Sequence, residues 1–209
     1  MTDPWILAII GYLIAAVGTF VPTLLAVFRG VKPHDGGASF DKSTHFSDEA
    51  KARLSQHFSR IAGTLGFWKK QSETFRRLHY YTLLWTVPTT VIIPFLVQAI
   101  EPNNASKWMV TIVSAHTAIL LSFHKALKVD SNFRTWREGE SNFYDFYRRM
   151  LDRPHLFGDT EPKQLAAYFD AVENLRSFIR NREVDNTPSL EEAQKQLQIN
   201  PVTTKEELA

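Results

Sequence analysis

The chain has no cysteine among its 209 residues. Disulfide frameworks, thiolate metal sites and cysteine nucleophiles are therefore excluded. It also has no Gly-rich phosphate loop, no His-Glu-x-x-His pair and no nucleophile elbow. Its seven histidines are scattered singly, and no two have a metal-ligand spacing. Glu191 and Glu192 read as first-turn helix acids and not as a catalytic pair. A formal net charge of +2, with no long basic block, gives no reason to expect nucleic acid. The sequence therefore predicts a protein that is not an enzyme, with no cofactor and no nucleic-acid partner.

Charge is missing altogether from three stretches. Pro4 to Phe28, Tyr80 to Ile100 and Trp108 to Phe123 hold no Asp, Glu, Lys or Arg. About 20 apolar residues suffice for a helix to cross a bilayer. The third run is the shortest, and Lys125 can snorkel to lengthen it. The first run has only Asp3 before it, lacks a basic n-region and is long for a signal peptide. We read it as a span; a cleaved leader is the alternative. The remaining residues are strongly polar, so the whole-chain hydropathy is slightly negative although these three runs are suited to lipid.

Positive residues cluster from Arg29 to Arg77 and again from Lys125 to Arg137, while only Glu101 to Lys107 joins the second and third spans. Basic segments near span ends stay on the cytosolic side. The prediction is a multi-pass protein with its N-terminus outside, 29–79 inside, a tight outer turn at Pro102-Asn103-Asn104, and a cytosolic C-terminus. Trp5 and Trp108 fall at one interface, Tyr80 and Tyr81 at the other.

The polar parts read as helices. Ser47 followed by Asp48 and Glu49 is a helix start. Leu54, Phe58, Ile61, Leu65, Trp68 and Phe75 then form a heptad-like seam running into the second span. Val129, Phe133, Trp136, Phe143, Tyr147 and Met150 continue the third span, with Glu140 as the polar break. Since the second and third spans are antiparallel, these extensions should emerge side by side as one long hairpin. Asp152-Arg153-Pro154 ends it. Glu161-Pro162 opens a further helix with Leu165, Phe169, Val172, Leu175 and Ile179 on one face, and Ser189 with Glu192 is a capping box for a short helix near 190–198.

The fold class is thus an all-α membrane protein. Three transmembrane helices are expected, the second and third extended into a cytosolic hairpin with a C-terminal helix packed on it. The segments are an N-terminal span (1–30), a flexible loop (31–46), a core (47–155), C-terminal helices (156–199) and a tail (200–209).

Polar groups inside the spans are the candidate functional residues. Thr82, Thr86 and Thr89 share one face of the second span. Thr111 and Ser114 share a face of the third, with Thr117 beside it. Hydroxyl stripes can line a pore; they also serve as hydrogen-bonding glue between helices. His116 lies mid-span, where an ionisable group is a functional candidate by default. Pro88 and Pro94 can kink the second span. Phe58, Leu65, Trp68, Phe133, Trp136 and Phe143 are the candidate assembly seam.

Residues 50–155 carry a loose layout of aromatic and basic residues: Gly66-Phe67-Trp68-Lys69-Lys70, Phe75-Arg76-Arg77-Leu78-His79-Tyr80-Tyr81, Val91-Ile92-Ile93-Pro94, Ile112 to Leu120, and Trp136-Arg137-Glu138 with Phe143-Tyr144-Asp145-Phe146-Tyr147. The layout resembles the SLATT family, two-transmembrane effectors associated with nucleotide-second-messenger systems. The resemblance implies a homo-oligomeric, pore-forming or channel-like effector in the bilayer, triggered by a signalling partner protein or nucleotide signal. It supplies no catalytic residues, and the additional N-terminal span and the extension after Asp152 depart from the two-span plan. The competing expectation is a membrane-anchored scaffold whose cytosolic helices bind a partner protein.

Overall fold

The computed structural model describes residues 3–28, 39–102, 104–187 and 189. Those residues form five α-helices: α1 (Pro4–Phe28), α2 (Asp48–Gln98), α3 (Asn104–Ala126), α4 (Val129–Asp152) and α5 (Glu161–Asn186). Single 3-10 turns cover Phe40–Lys42 and Pro154–Phe157, and no strand occurs among the described residues. Helices α1, α2 and α3 are long and apolar enough to cross a membrane. The expected short helix near 190–198 and the tail 200–209 lie outside the described residues, as does Asn103.

The chain divides into two compact units. One contains α1, the part of α2 from Thr74, and α3. The other contains the N-terminal part of α2, most of α4, and α5 up to Asp185. Helix α2 therefore contributes to both, and the core expected at 47–155 is shared between them.

The polar unit is held by three apolar seams. Leu54, Ile61, Leu65 and Trp68 of α2, Trp136, Phe143, Tyr147 and Met150 of α4, and Leu165, Tyr168, Val172 and Ile179 of α5 are all buried. At one point the seams leave little room for a side chain. A Cβ at Gly139 of α4 would lie 3.1 Å from both the Trp68 ring and the Ile179 side chain. A side chain there would make both neighbours give by a few tenths of an ångström. Glu140, the polar break in the α4 seam, is buried and accepts a hydrogen bond from Arg137 at 3.1 Å. The Trp136 indole nitrogen is buried without a partner, a standing cost of about 1–3 kcal/mol.

Two expectations need correction. The described end of the loop, 39–46, is part of the core. Phe40 is 2% exposed, and its ring packs 4.6 Å from Tyr147 and 6.2 Å from Tyr168. Two isolated phenylalanines in an aperiodic stretch give no periodic signal, yet burial of such rings is enough to dock the segment. The continuous helix expected from the third span to Asp152 is broken. Helix α3 stops at Ala126, α4 starts at Val129, and Lys128 between them has a φ of 45°. Its amide bonds back to the Lys125 carbonyl at 3.0 Å, a tight closing turn. A non-glycine residue in the left-handed region costs about 1–2 kcal/mol, and no glycine or proline marks the site.

The start of α2 follows its sequence signal. Ser47 Oγ accepts from the Ala50 amide at 3.3 Å, and Asp48 and Glu49 occupy the first turn. Ser47 also reaches α5: its amide and its hydroxyl each donate to the Glu161 carboxylate at 2.7 Å. Those bonds hold the Glu161 carboxyl below its ordinary value of 4.5. Hydrogen bonds from Ser39 and Ser55 lower Asp41 in the same way.

Two predictions come from this unit. Trp68→Ala should cost about 3–5 kcal/mol and Gly139→Ala about 1–3 kcal/mol in chemical unfolding of the detergent-solubilised chain, followed by helical circular dichroism. A loss below ~0.5 kcal/mol for both would show that these contacts do not hold the unit. The second concerns pH. Because the Glu161 and Asp41 values are lowered on folding, their stabilisation is complete above the ordinary carboxylate values and is lost as pH falls through the lowered ones. Glu161→Gln should flatten that acid limb of the melting-temperature profile and leave the neutral-to-basic limb parallel to wild type.

Candidate functional site

Within the membrane-suited unit, the candidate polar residues are distributed unequally. Thr82, Thr86, Thr89 and Thr117 are buried between helices. Ser114 and His116 are half-buried, and Thr111 is exposed. In each buried threonine the hydroxyl is already committed. Thr82 donates to the Leu78 carbonyl, Thr86 to Thr82, and Thr89 to Trp85, at 2.6–3.0 Å. Thr117 has its own Val113 carbonyl at 2.9 Å and Thr89 Oγ1 across α2 and α3 at 2.8 Å within reach, and with Thr89 donating to Trp85 the single Thr117 proton serves one of the two. Thr111 bonds back to the Lys107 carbonyl at 3.0 Å. Polar groups in hydrocarbon must find partners within the protein, and this ladder finds them one turn back or on the neighbouring helix.

His116 joins a different group. Its Nδ1 lies 2.6 Å from the Tyr12 hydroxyl of α1, and its Nε2 lies 3.4 Å from the Tyr81 hydroxyl of α2. Tyr81 also donates to the Ala16 carbonyl of α1 at 3.2 Å. A neutral imidazole has one donor and one acceptor. One assignment satisfies every atom: Tyr12 donates to Nδ1, Nε2–H points to the Tyr81 oxygen, and Tyr81 donates to Ala16. The three spans are thus joined through one histidine. Trp85 closes the cluster. Its indole N–H donates to Thr19 at 2.9 Å, Thr19 donates to the Ala15 carbonyl at 2.7 Å, and the Trp85 ring stands edge-on to Tyr12 at 5.0 Å. An open groove of about 410 Å³ runs past Tyr12, Tyr81 and His116 between apolar walls of α1 and α3.

At the far end of this unit His79 Nδ1 and His124 Nε2 are 3.0 Å apart, so one of the two must be the donor. Arg77 donates to the Pro22 carbonyl of α1 at 3.2 Å. At the opposite end the Ser106 hydroxyl accepts from the Glu101 amide and donates to its carbonyl, both at 3.2 Å.

Tyr12, Tyr81, Trp85 and Thr19 were not picked out from the sequence as partners of His116. The available signal was a polar-tipped aromatic inside an otherwise apolar run, since Tyr and Trp bury their polar atom only with a partner. The seam candidates lie apart from all of this, in the other unit. There Leu65, Trp68, Trp136 and Phe143 are buried within the single chain, and Phe58 and Phe133 are half-buried.

No protein-family model, curated protein or solved structure matches this chain. Among the described residues no three His, Asp or Glu side chains are grouped to hold a metal ion.

The span cluster yields a prediction. In a double-mutant cycle, Thr89→Val and Thr117→Val should show a coupling of about 0.6 kcal/mol and no more than about 1.7 kcal/mol, read from reversible unfolding in bicelles. Zero coupling would mean that the interhelical bond contributes nothing and that each hydroxyl is satisfied by its own helix.

Proposed function

We propose that this chain is a membrane-anchored helical scaffold whose polar unit faces the cytosol and binds a partner protein there. The observation that carries this reading is the commitment of Thr82, Thr86, Thr89 and Thr117 to bonds inside the span bundle. Those hydroxyls would otherwise be the natural lining of a pore. The outward faces of the spans support it too: Ile14, Val17, Leu84, Val91, Phe95 and Ile119 are exposed and apolar, suited to acyl chains. Positive residues from Arg29 to Arg77 and from Lys125 to Arg137 favour a cytosolic polar unit and an outer N-terminus by the charge bias of loops near span ends.

The second reading is a homo-oligomeric pore-forming effector, as the resemblance of residues 50–155 to the SLATT family implies. It draws on Thr111, which stays exposed, and on the half-buried Ser114 of α3. In that reading copies would surround a polar path contributed by α3.

One experiment separates the two. Purified chain in liposomes is assayed for release of ions and of a small dye, with its oligomeric state measured in nanodiscs. The scaffold reading expects a low-order species and no release above empty liposomes. Release that changes with Thr111→Val, from a closed ring of subunits, would overturn it and establish the pore.

A further inference from the structure

The polar unit contains a second arrangement, built from side chains of its own helices. Arg53, Gln56, His57 and Arg60 recur at three- and four-residue steps on α2, so they share one face. Phe169, Glu173 and Arg176 do the same on α5. Together with Ile61 they line a cavity of about 350 Å³, within the size range of small-molecule sites.

Its charge is unbalanced. Arg53 is engaged by Glu49 at 2.7 Å. Arg60 and Arg176 form no ion pair with a carboxylate among the described residues, and Glu173 is the one acid in the lining. The cavity therefore presents two guanidinium groups from two helices against a single carboxylate. His57 lines the same cavity. Its ring packs 4.6 Å from Phe169 at a tilt of 35°. Its Nδ1 is buried without a hydrogen-bond partner, so no bond at that atom fixes its tautomer. Burial and the nearby Arg176 and Arg60 charges lower its pKa, Glu173 opposing them. An anion in the cavity would supply the counter-charge that neither Arg60 nor Arg176 finds in an ion pair among the described residues.

We propose that this cavity binds a phosphate-bearing small anion, with Arg60 and Arg176 clamping the phosphate and Phe169 receiving a less polar substituent. Guanidinium forks match phosphate oxygens two at a time, and the ligand would bridge α2 and α5. Charge matching goes one step further. Protonation of His57 supplies a cation to balance Glu173, leaving the two arginines for a dianion. Binding should therefore take up a proton, opposing the causes that lower the His57 value. The charged groups facing His57 are Arg53 and Arg60 from α2, and Glu173 and Arg176 from α5. The same phosphate chemistry is offered by a soluble phosphate ester and by an anionic phospholipid headgroup. This site goes beyond the scaffold reading and survives its failure, since it uses no span residue.

The test uses the full chain in nanodiscs of zwitterionic lipid. Phenyl phosphate is titrated calorimetrically, and the His57 ring proton resonance is followed against pH with and without it. The expected results are saturable binding, an upward shift of the His57 titration, and a loss of about tenfold or more in affinity for Arg60→Gln or Arg176→Gln, in keeping with the strength of charge-assisted hydrogen bonds. Glu173→Gln removes the opposing charge and should tighten binding severalfold, an effect that misfolding cannot imitate. Repeating the titration in nanodiscs containing anionic phospholipid distinguishes the sources. Competition there identifies the headgroup as the occupant, and unchanged binding identifies the soluble ester. No binding by the folded wild-type chain in either lipid, or equal affinity in the wild type and both arginine variants, would overturn the proposal.

Discussion

Hydrocarbon supplies no hydrogen-bond partner, and that constraint orders the membrane-suited unit. Every buried threonine along α2 turns its hydroxyl to a carbonyl one turn earlier, and Thr89 also meets Thr117. The same constraint makes His116 a junction. A lone imidazole in lipid would be costly, and with Tyr12 on one side and Tyr81 on the other it becomes the atom set through which α1, α2 and α3 are tied. Apolar contact between spans gains little over contact with lipid, so these few polar bonds account for much of the choice of partner face.

In the polar unit the governing force is reversed. Water makes apolar burial favourable, roughly 25 cal/mol per Å², and the three seams converge until the α4 backbone at Gly139 touches Trp68 and Ile179. Helix α2 contributes to both units. Its N-terminal part obeys the rule for water and its C-terminal part the rule for lipid. The Ser47–Glu161 bonds then link the start of α2 to the start of α5.

Much of this could be read from the residues. Hydropathy runs located the spans because length and absence of charge are sufficient signals. The seams of α2, α4 and α5 were visible because heptad-like spacing survives without knowledge of the partner. What escaped were features with no periodic signature. Phe40 and Phe46 dock a segment that looks like a loop. Lys128 turns the chain without glycine or proline. Tyr12 and His116 meet only because of how α1 and α3 are rotated about their axes, which spacing within either helix does not reveal. Arg53 and Arg60 carry no spacing that links them to Arg176 in the sequence, and the cavity between them exists only once α2 and α5 are packed.

The Tyr12–His116 contact also carries a consequence for the order in which the protein is made. The two residues are 104 positions apart. At roughly 5–20 residues per second of synthesis, the ribosome reaches His116 roughly 5–20 seconds after Tyr12. During that interval the Tyr12 hydroxyl lacks its final partner. The partner of the α1 hydroxyl is thus complete only once α3 has been made.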